Sequence, residues 1–557
     1  MSTATEKIRT ARDLLLSLEG RGDEARARFE WPQISGPFNW AIDWFDAIGR
    51  DRDDLALWIR DEDGSDERYS YGDLVTRSDR LASWFTAQGV GKGDAVMLML
   101  GNQVELWDAM LAVMKIGGII LPTAQALQPF DLADRVERAG IRAVLANPVD
   151  EPKFDDIEGL TFITTGEAHG RWLSMAEAVR SPAEPREVVT DAGDPVLYYF
   201  TSGTTKDPKL VAHTQLSYPV GHLSTMHFIG VRPGDVHLNI SSPGWGKHAW
   251  SSFFSPWLAE ATVFSYNYTR FDAATILREL EGAQVTTFCA PPTVWRMMIQ
   301  ANLGEKPSAL RDIVGAGEPL NPEVISTVQN AWGLTIRDGY GQTETTCTIG
   351  NAPGEKVKPG AMGKILPGVR IQIIDPDTGE ESRQGEITLP LEPWPYNLMS
   401  GYVGGHPTAG EDERYHSGDL VSVDDEGYLT YIGRTDDVFK ASDYKISPFE
   451  LESVLIEHPA VVEAAIVPAP DAIRAAVPKA YVTLAAGFEA TAETALSILQ
   501  HAKERLAPYL RVRRIEFSGL PKTLSGKVRR VVLRAREHDA GTEIVDYRYE
   551  QFPDLRG

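Results

Sequence analysis

The sequence holds only two cysteines, Cys289 and Cys347, in 557 residues. Their wide separation offers neither a metal-ligand spacing nor a disulfide framework, so both read as small core residues. Long apolar runs are missing as well. No segment approaches the roughly 18–20 apolar residues of a membrane span, and the charged, helix-prone residues 1–28 hold no apolar signal region. These absences lead to the expectation of a soluble, cytoplasmic protein. Positive charge is scarce: 55 Lys and Arg stand against 79 Asp and Glu, giving a net charge of −24 and a pI near 5.0. Such a surface disfavours nucleic acid or anionic membranes as partners, and it makes each cation inside a motif informative. The Gly-x-x-x-x-Gly-Lys-[Ser/Thr] phosphate loop is absent too, as are internal repeats and low-complexity tracts.

What is present is a chain long enough for more than one domain, since single cores stop growing near roughly 250–300 residues. Trp40, Trp44, Phe45 and Trp58 read as packing. From Asp94 onward apolar strands and helices alternate: strands at 95–100, 117–122, 142–146 and 160–164, with a helix at 104–116. The rhythm continues with strands at 196–200, 236–240, 261–266, 285–288, 312–315 and 334–337. Alternation of this kind predicts an α/β fold of mostly parallel sheets covered by helices. After about residue 360, period-two segments at 369–375 and 385–390 predict a small antiparallel unit. Strands at 463–468, 479–484 and 513–517, mixed with helices at 448–457 and 494–506, predict a small α+β domain. We therefore expect a large N-terminal domain over 1–435 and a small C-terminal one over 436–557.

The stretch 198–214 follows a buried strand and gathers Thr201, Ser202, Thr204 and Thr205 around Gly203, with Lys209 after a proline. Hydroxyls, backbone N–H groups and an ammonium can wrap a polyphosphate. The same composition also suits a polar surface turn. Five further stretches follow in order: Gly315-Ala316-Gly317-Glu318-Pro319, Gly339-Tyr340-Gly341-Gln342-Thr343-Glu344, Tyr415-His416-Ser417-Gly418-Asp419, Gly433-Arg434-Thr435-Asp436-Asp437 and Pro521-Lys522-Thr523-Leu524-Ser525-Gly526-Lys527. Together the six motifs resemble the adenylate-forming enzymes, which include acyl-CoA synthetases, aryl-CoA ligases, luciferases and peptide-synthetase adenylation domains. The resemblance covers nearly the whole chain and is nearest in pattern to medium-chain acyl-CoA synthetases.

The resemblance implies ATP, Mg²⁺ and CoA as cofactors and co-substrates, a small carboxylic acid as substrate, and room for a homodimer. By it, 201–209 would hold the β- and γ-phosphates, and 315–319 the adenine, with Asp338, Gly339, Tyr340 and Gln342 beside the nucleotide. Thr343 would touch the α-phosphate and Glu344 would ligate Mg²⁺, a hard cation suited to carboxylate oxygen. Asp419 would accept from the ribose hydroxyls, and Arg434 would donate to ribose or phosphate. Lys527 is the expected catalytic cation of adenylate formation, where charge builds on the α-phosphate oxygens. The C-terminal domain would be mobile, turning at Asp436 to present the loop around Lys440–Lys445 for thioester formation. Trp245, Gly246, Lys247 and His248 would border the acyl pocket, although Trp245 also suits plain core. Acetyl-CoA synthetases carry a tryptophan where this chain has Gly341, so the glycine predicts an acid larger than acetate, aliphatic or aromatic.

Three positions depart from the family pattern. Lys206 replaces a glycine in the phosphate loop. Lys445 replaces arginine and keeps the charge without the fork. Asp443 stands where glycine lets the pantetheine arm approach; its carboxylate can narrow that tunnel or point aside. The leading expectation is an acid–CoA ligase, and the alternative an adenylating enzyme with another acceptor, such as a carrier-protein thiol or an amine.

Overall fold

The computed structural model describes residues 3–201, 208–318, 320–441, 444–471, 475–523, 526–539 and 546–555. Backbone contacts divide them into two compact units. The first takes in 3–201, 208–371 and 390–415; the second takes in 372–389 and the described residues from 416 onward.

Two large, mainly parallel sheets form the first unit. In one of eight strands, Ala95–Met99, Ile119–Pro122, Ile141–Ala146, Thr161–Thr164, Trp172–Ser174 and Pro195–Phe200 run parallel. Its antiparallel edge consists of Leu210–Thr214 and Gly401–Val403. The other has nine strands; Leu55–Asp61, Thr262–Asn267, Val236–Asn239, Thr287–Ala290, Asp312–Ala316 and Arg337–Gly341 are its parallel centre. Strands buried on both faces explain the unbroken apolar runs of the sequence. Trp40, Trp44 and Phe45 are fully buried and Trp58 nearly so, and both cysteines are buried, as their composition suggests.

One strand differs from expectation. Of the expected strand 334–337, residues 334–336 are a connector, and the strand is Arg337–Gly341. Gly333, at φ 69°, ends the helix Pro322–Trp332 in the left-handed conformation. Pairing with Asp312–Ala316 begins only at Arg337, opposite Val314. Glycine-rich Arg-Asp-Gly-Tyr-Gly has little intrinsic strand preference, but its glycines are forced by packing. A Cβ on Gly339 would stand 2.5 Å from the ring of Phe228, and one on its register partner Gly350 2.7 Å from the same ring.

The second unit combines the expected antiparallel sheet with the α+β segment. Gln372–Ile374, Gln384–Pro390, Arg414–Val423 and Leu429–Arg434 form four strands in that order. Val461–Asp471, Ala475–Leu484, Arg514–Phe517 and Tyr547–Arg548 form another four, with helices Pro448–Ile456, Ala492–Arg505 and Arg530–His538. Among the described residues no helix is long and apolar enough to cross a membrane.

Candidate active site

The strands Pro195–Phe200 and Leu210–Thr214 are antiparallel neighbours, and the expected phosphate loop joins them. Its neck is closed twice: the Thr201 N–H donates to the Lys209 carbonyl at 2.8 Å, and the Lys209 N–H to Thr201 Oγ1 at 3.2 Å. Ser202, Gly203, Thr204, Thr205 and Lys206 lie outside the described residues. The Arg135 and Arg138 guanidinium groups cover Phe200 at 4.8 and 5.0 Å, fixing the strand end from which the loop departs.

Thr343 and Glu344 occupy the middle of a tight turn. The Gln342 N–H donates to Thr345 Oγ1 at 3.0 Å and the Thr345 N–H to the Gln342 carbonyl at 3.2 Å. Three side chains anchor that turn. His213 Nε2 donates to the Thr343 carbonyl at 2.8 Å, the Tyr415 hydroxyl to Gln342 Oε1 at 2.6 Å, and the Tyr402 hydroxyl to Glu344 Oε1 at 2.9 Å. The tautomer of His213 follows from its partners: a carbonyl only accepts, so Nε2 carries the proton. Nδ1 then accepts from Ser217 Oγ at 3.0 Å. Burial pushes the His213 pKa down to about 4, so the ring stays neutral near pH 7.

The expected adenine slot begins on the strand Asp312–Ala316 and turns at Gly317, whose φ of 107° requires glycine. Glu318 meets Arg296 at 3.7 Å, and Pro319 lies outside the described residues. On the next strand Asp338 is buried, accepting the N–H groups of Gly339 at 2.9 Å and Leu320 at 3.3 Å. Burial raises its pKa to about 7, which these bonds and Lys247 oppose. The carbonyl of Tyr340 accepts from Thr348 Oγ1 at 3.3 Å.

The expected acyl segment adjoins this slot. Trp245 precedes the short helix Gly246–Ala249, and Tyr218 donates to the Gly246 carbonyl at 3.3 Å. Lys247 Nζ donates to the Ala316 carbonyl at 3.1 Å; burial lowers its pKa, against Cys289, Glu318 and Asp338. His248 points elsewhere, pairing with Asn102 Oδ1 at 2.9 Å beneath Trp107, and burial drops its pKa to about 3. At Gly341 the structure corrects the expectation of added volume, because the space beside the glycine is already occupied. A Cβ there would stand 2.4 Å from Trp250 Cη2 and 2.3 Å from the Thr346 carbonyl oxygen. The Trp250 ring therefore fills the space directly beside the glycine.

In the second unit Asp419 and Arg434 are register partners on adjacent strands. Arg434 Nη1 donates to the Ser417 carbonyl at 3.0 Å and approaches Asp419 Oδ1 at 3.4 Å; Nε approaches Asp436 Oδ1 at 3.4 Å. Gly418, at φ 73°, leaves room for the guanidinium, since a Cβ would stand 2.6 Å from Arg434 Nη2. Glu386 braces the motif, accepting the Gly418 N–H at 2.7 Å and meeting His416 Nδ1 at 2.9 Å. The strand Tyr444–Ile446 puts Lys445 opposite Lys440, and Asp443 lies outside the described residues. Lys527 is exposed at the end of a small hairpin closed on Thr523, its N–H donating to Thr523 Oγ1 at 3.1 Å.

Tyr402 and Glu386 escaped notice in the sequence, and His213 and Tyr415, although inside motif stretches, received no role there. Each acts on a motif residue distant in sequence, Tyr402 from 58 positions beyond Glu344, and no spacing rule links such pairs.

Comparison with known proteins follows the same outline. The family model described as AMP-binding enzyme matches residues 44–403, and that of the AMP-binding enzyme C-terminal domain matches 450–527. The chain is 42% identical over 518 residues to 4-hydroxybutyrate–CoA ligase 1 of Metallosphaera sedula, covering 90% of this chain and 91% of the relative. To the mitochondrial acyl-coenzyme A synthetase ACSM3 of Mus musculus it is 35% identical, covering 91% of each. Among solved structures, the acyl-CoA synthetase of Brucella canis superposes with a TM-score of 0.72 at 30% identity, over 93% of this chain and 99% of that one.

Proposed function

The chain belongs to the AMP-binding enzyme family, and from that premise we propose that it is an ATP-dependent acid–CoA ligase with the residue roles that follow. A carboxylate oxygen of the acid attacks the α-phosphorus of ATP, the bond to the bridging oxygen breaks, and pyrophosphate leaves. The sulfur of CoA then attacks the acyl carbon, AMP leaves, and the thiol proton passes to solvent. Lys209 and the loop from Thr201 hold the β- and γ-phosphates, and Thr343 the α-phosphate. Asp338 and the 315–319 segment receive adenine; Asp419 and Arg434 receive ribose. Lys527 neutralises charge that builds at the α-phosphate in the first step and is idle in the second.

One observation carries this reading: Lys247 of the acyl segment touches the Ala316 carbonyl of the adenine segment at 3.1 Å. Joining an acid to a nucleotide needs the two pockets to share a wall, and this contact supports one. Mg²⁺ fits the residues present. Among the described residues no group of three His, Cys, Asp or Glu could hold a metal. Glu344 with the nucleotide's own phosphates supplies the ligand set that Mg²⁺ commonly uses. When bound, the ion would neutralise phosphate charge.

The expected acid is larger than acetate, a reading supported by the 4-hydroxybutyrate–CoA ligase relative and not by Gly341, whose neighbouring space Trp250 occupies. Straight-chain acids of four or more carbons, ω-hydroxylated ones among them, are the favoured class, and aromatic acids the second. Incubation with ATP, Mg²⁺, CoA and acids graded from acetate to decanoate, with 4-hydroxybutyrate and benzoate, tests the proposal. Acyl-CoA and pyrophosphate are expected in equal amounts. Pyrophosphate release without acyl-CoA would favour another acceptor and sink the ligase reading.

A further inference from the structure

Glu344 and Lys209 come from different motifs, yet one side chain holds both. The Tyr402 hydroxyl donates to Glu344 Oε1 at 2.9 Å, and the Lys209 ammonium stands 4.7 Å from the centroid of the same ring. Tyr402 is well fixed for this. Its strand, Gly401–Val403, pairs with Leu210–Thr214, placing Tyr402 opposite Val211, two positions past Lys209. The turn bearing Glu344 is tied to the same segment, because the Met399 N–H donates to the Glu344 carbonyl at 2.8 Å. Sheet register, ring and hydroxyl thus set the two charged groups at a defined separation.

We propose that Tyr402 is a positioning residue that presents the Glu344 carboxylate to Mg²⁺ and the Lys209 ammonium to the terminal phosphates of ATP. The inference rests on the roles assigned above to Glu344 and Lys209. The phenol donates to one carboxylate oxygen and so orients the other toward the metal, as partners of metal ligands commonly do. The aromatic face attracts the ammonium and keeps it from collapsing onto Glu344, an ion pair that would neutralise both groups before the nucleotide arrives. Hydroxyl and ring have separable tasks, which makes the proposal testable by two substitutions at one position.

The test is calorimetric titration of ATP into the full-length protein, once in EDTA and again across a Mg²⁺ series. Tyr402→Phe is expected to raise the half-saturating Mg²⁺ concentration about 10-fold, the lower end of effects from removing a ligand's partner. It should leave ATP affinity in EDTA within about 2-fold, because the ring under Lys209 remains. Tyr402→Leu should show the same Mg²⁺ shift and also weaken ATP binding in EDTA by roughly 2–5-fold. If Tyr402→Leu does not fold, Lys209→Met should give the EDTA effect without the Mg²⁺ shift. Glu344→Gln serves as the reference for metal ligation. A Tyr402→Phe protein with wild-type Mg²⁺ dependence, beside a Glu344→Gln protein that has lost it, would overturn the role of Tyr402 alone. An unchanged Mg²⁺ dependence in Glu344→Gln would instead remove the premise, and the proposal with it. Equal weakening by Tyr402→Phe with and without Mg²⁺ would also refute it.

Discussion

Two residues carry predictions of their own. Asp338 is a carboxyl whose burial raises its pKa to about 7, well above its ordinary value of 3.8. The folded state therefore retains a proton that the unfolded chain has released over the interval between those values, and linkage makes stability fall as pH rises through it. Above about pH 7 both states are ionised and the dependence ends. Asp338→Asn removes the titration, so its thermal midpoint relative to wild type should climb from pH 4 to 7 and level off beyond. A difference that is flat across this range would show that Asp338 does not titrate in the fold. Lys527 makes the second prediction. Lys527→Ala should reduce acid-dependent ATP–pyrophosphate exchange by about 100-fold or more, the scale of removing a transition-state donor, while supplied acyl-adenylate still yields thioester. Equal loss of both steps would contradict its assignment. Lys527 was legible as a motif member and Asp338 as the residue before one, but the environment of Asp338 was not, because burial is a property of the fold around it.

At the scale of elements, the helix Arg530–His538 sets where the Lys527 hairpin departs. Arg530 Nη2 bonds Glu452 Oε2 at 2.6 Å and Nη1 meets Asp437 Oδ2 at 3.3 Å, while Arg534 binds the other oxygen of Asp437. Glu452 in turn accepts the Ile466 N–H at 2.7 Å. The residue following the expected pivot is thereby fastened to the helix that follows Lys527. Asp437→Asn leaves two arginines short of a carboxylate, and removing one partner of a largely buried pair is costly, roughly 3 kcal/mol. Amide hydrogen exchange across 530–538 should quicken more than 10-fold in this variant, and pyrophosphate exchange should fall further than thioester formation does. Unchanged protection of that helix would remove the latch from the account. None of this was visible in sequence, because no spacing rule links Arg530 and Arg534 to Asp437 and Glu452. Strand order was clearer. Apolar runs such as Ala95–Met99 and Ile141–Ala146 announce parallel strands by composition, whereas Arg337–Gly341 does not, since its glycines answer to the ring of Phe228 rather than to strand preference.

For the whole molecule, the two half-reactions make different demands on the two units. The proposed roles in adenylate formation fall to Lys209, Thr343 and Glu344 in the first unit and to Asp419, Arg434 and Lys527 in the second. In the proposed second step Lys527 has no role, and the expected contributor is the hairpin in which Lys440 is the register partner of Lys445. Six ordered motifs made the chemistry of the first step readable from sequence, because nucleotide recognition uses short runs of fixed composition. The expected acyl pocket was less readable, for Trp250 packs directly against Gly341 and neither residue announces the other. The acceptor step concentrates the remaining question on Asp443, where the family pattern has glycine. If that carboxylate narrows the path of the pantetheine arm, removing it should help. Single-turnover mixing of supplied acyl-adenylate with CoA is therefore expected to run as fast or several-fold faster in Asp443→Gly than in wild type, with pyrophosphate exchange unaltered because that step does not use the arm. A drop of 10-fold or more in the thioester step alone would mean that Asp443 contributes to thiol transfer, and that this chain departs from its family in how CoA is received.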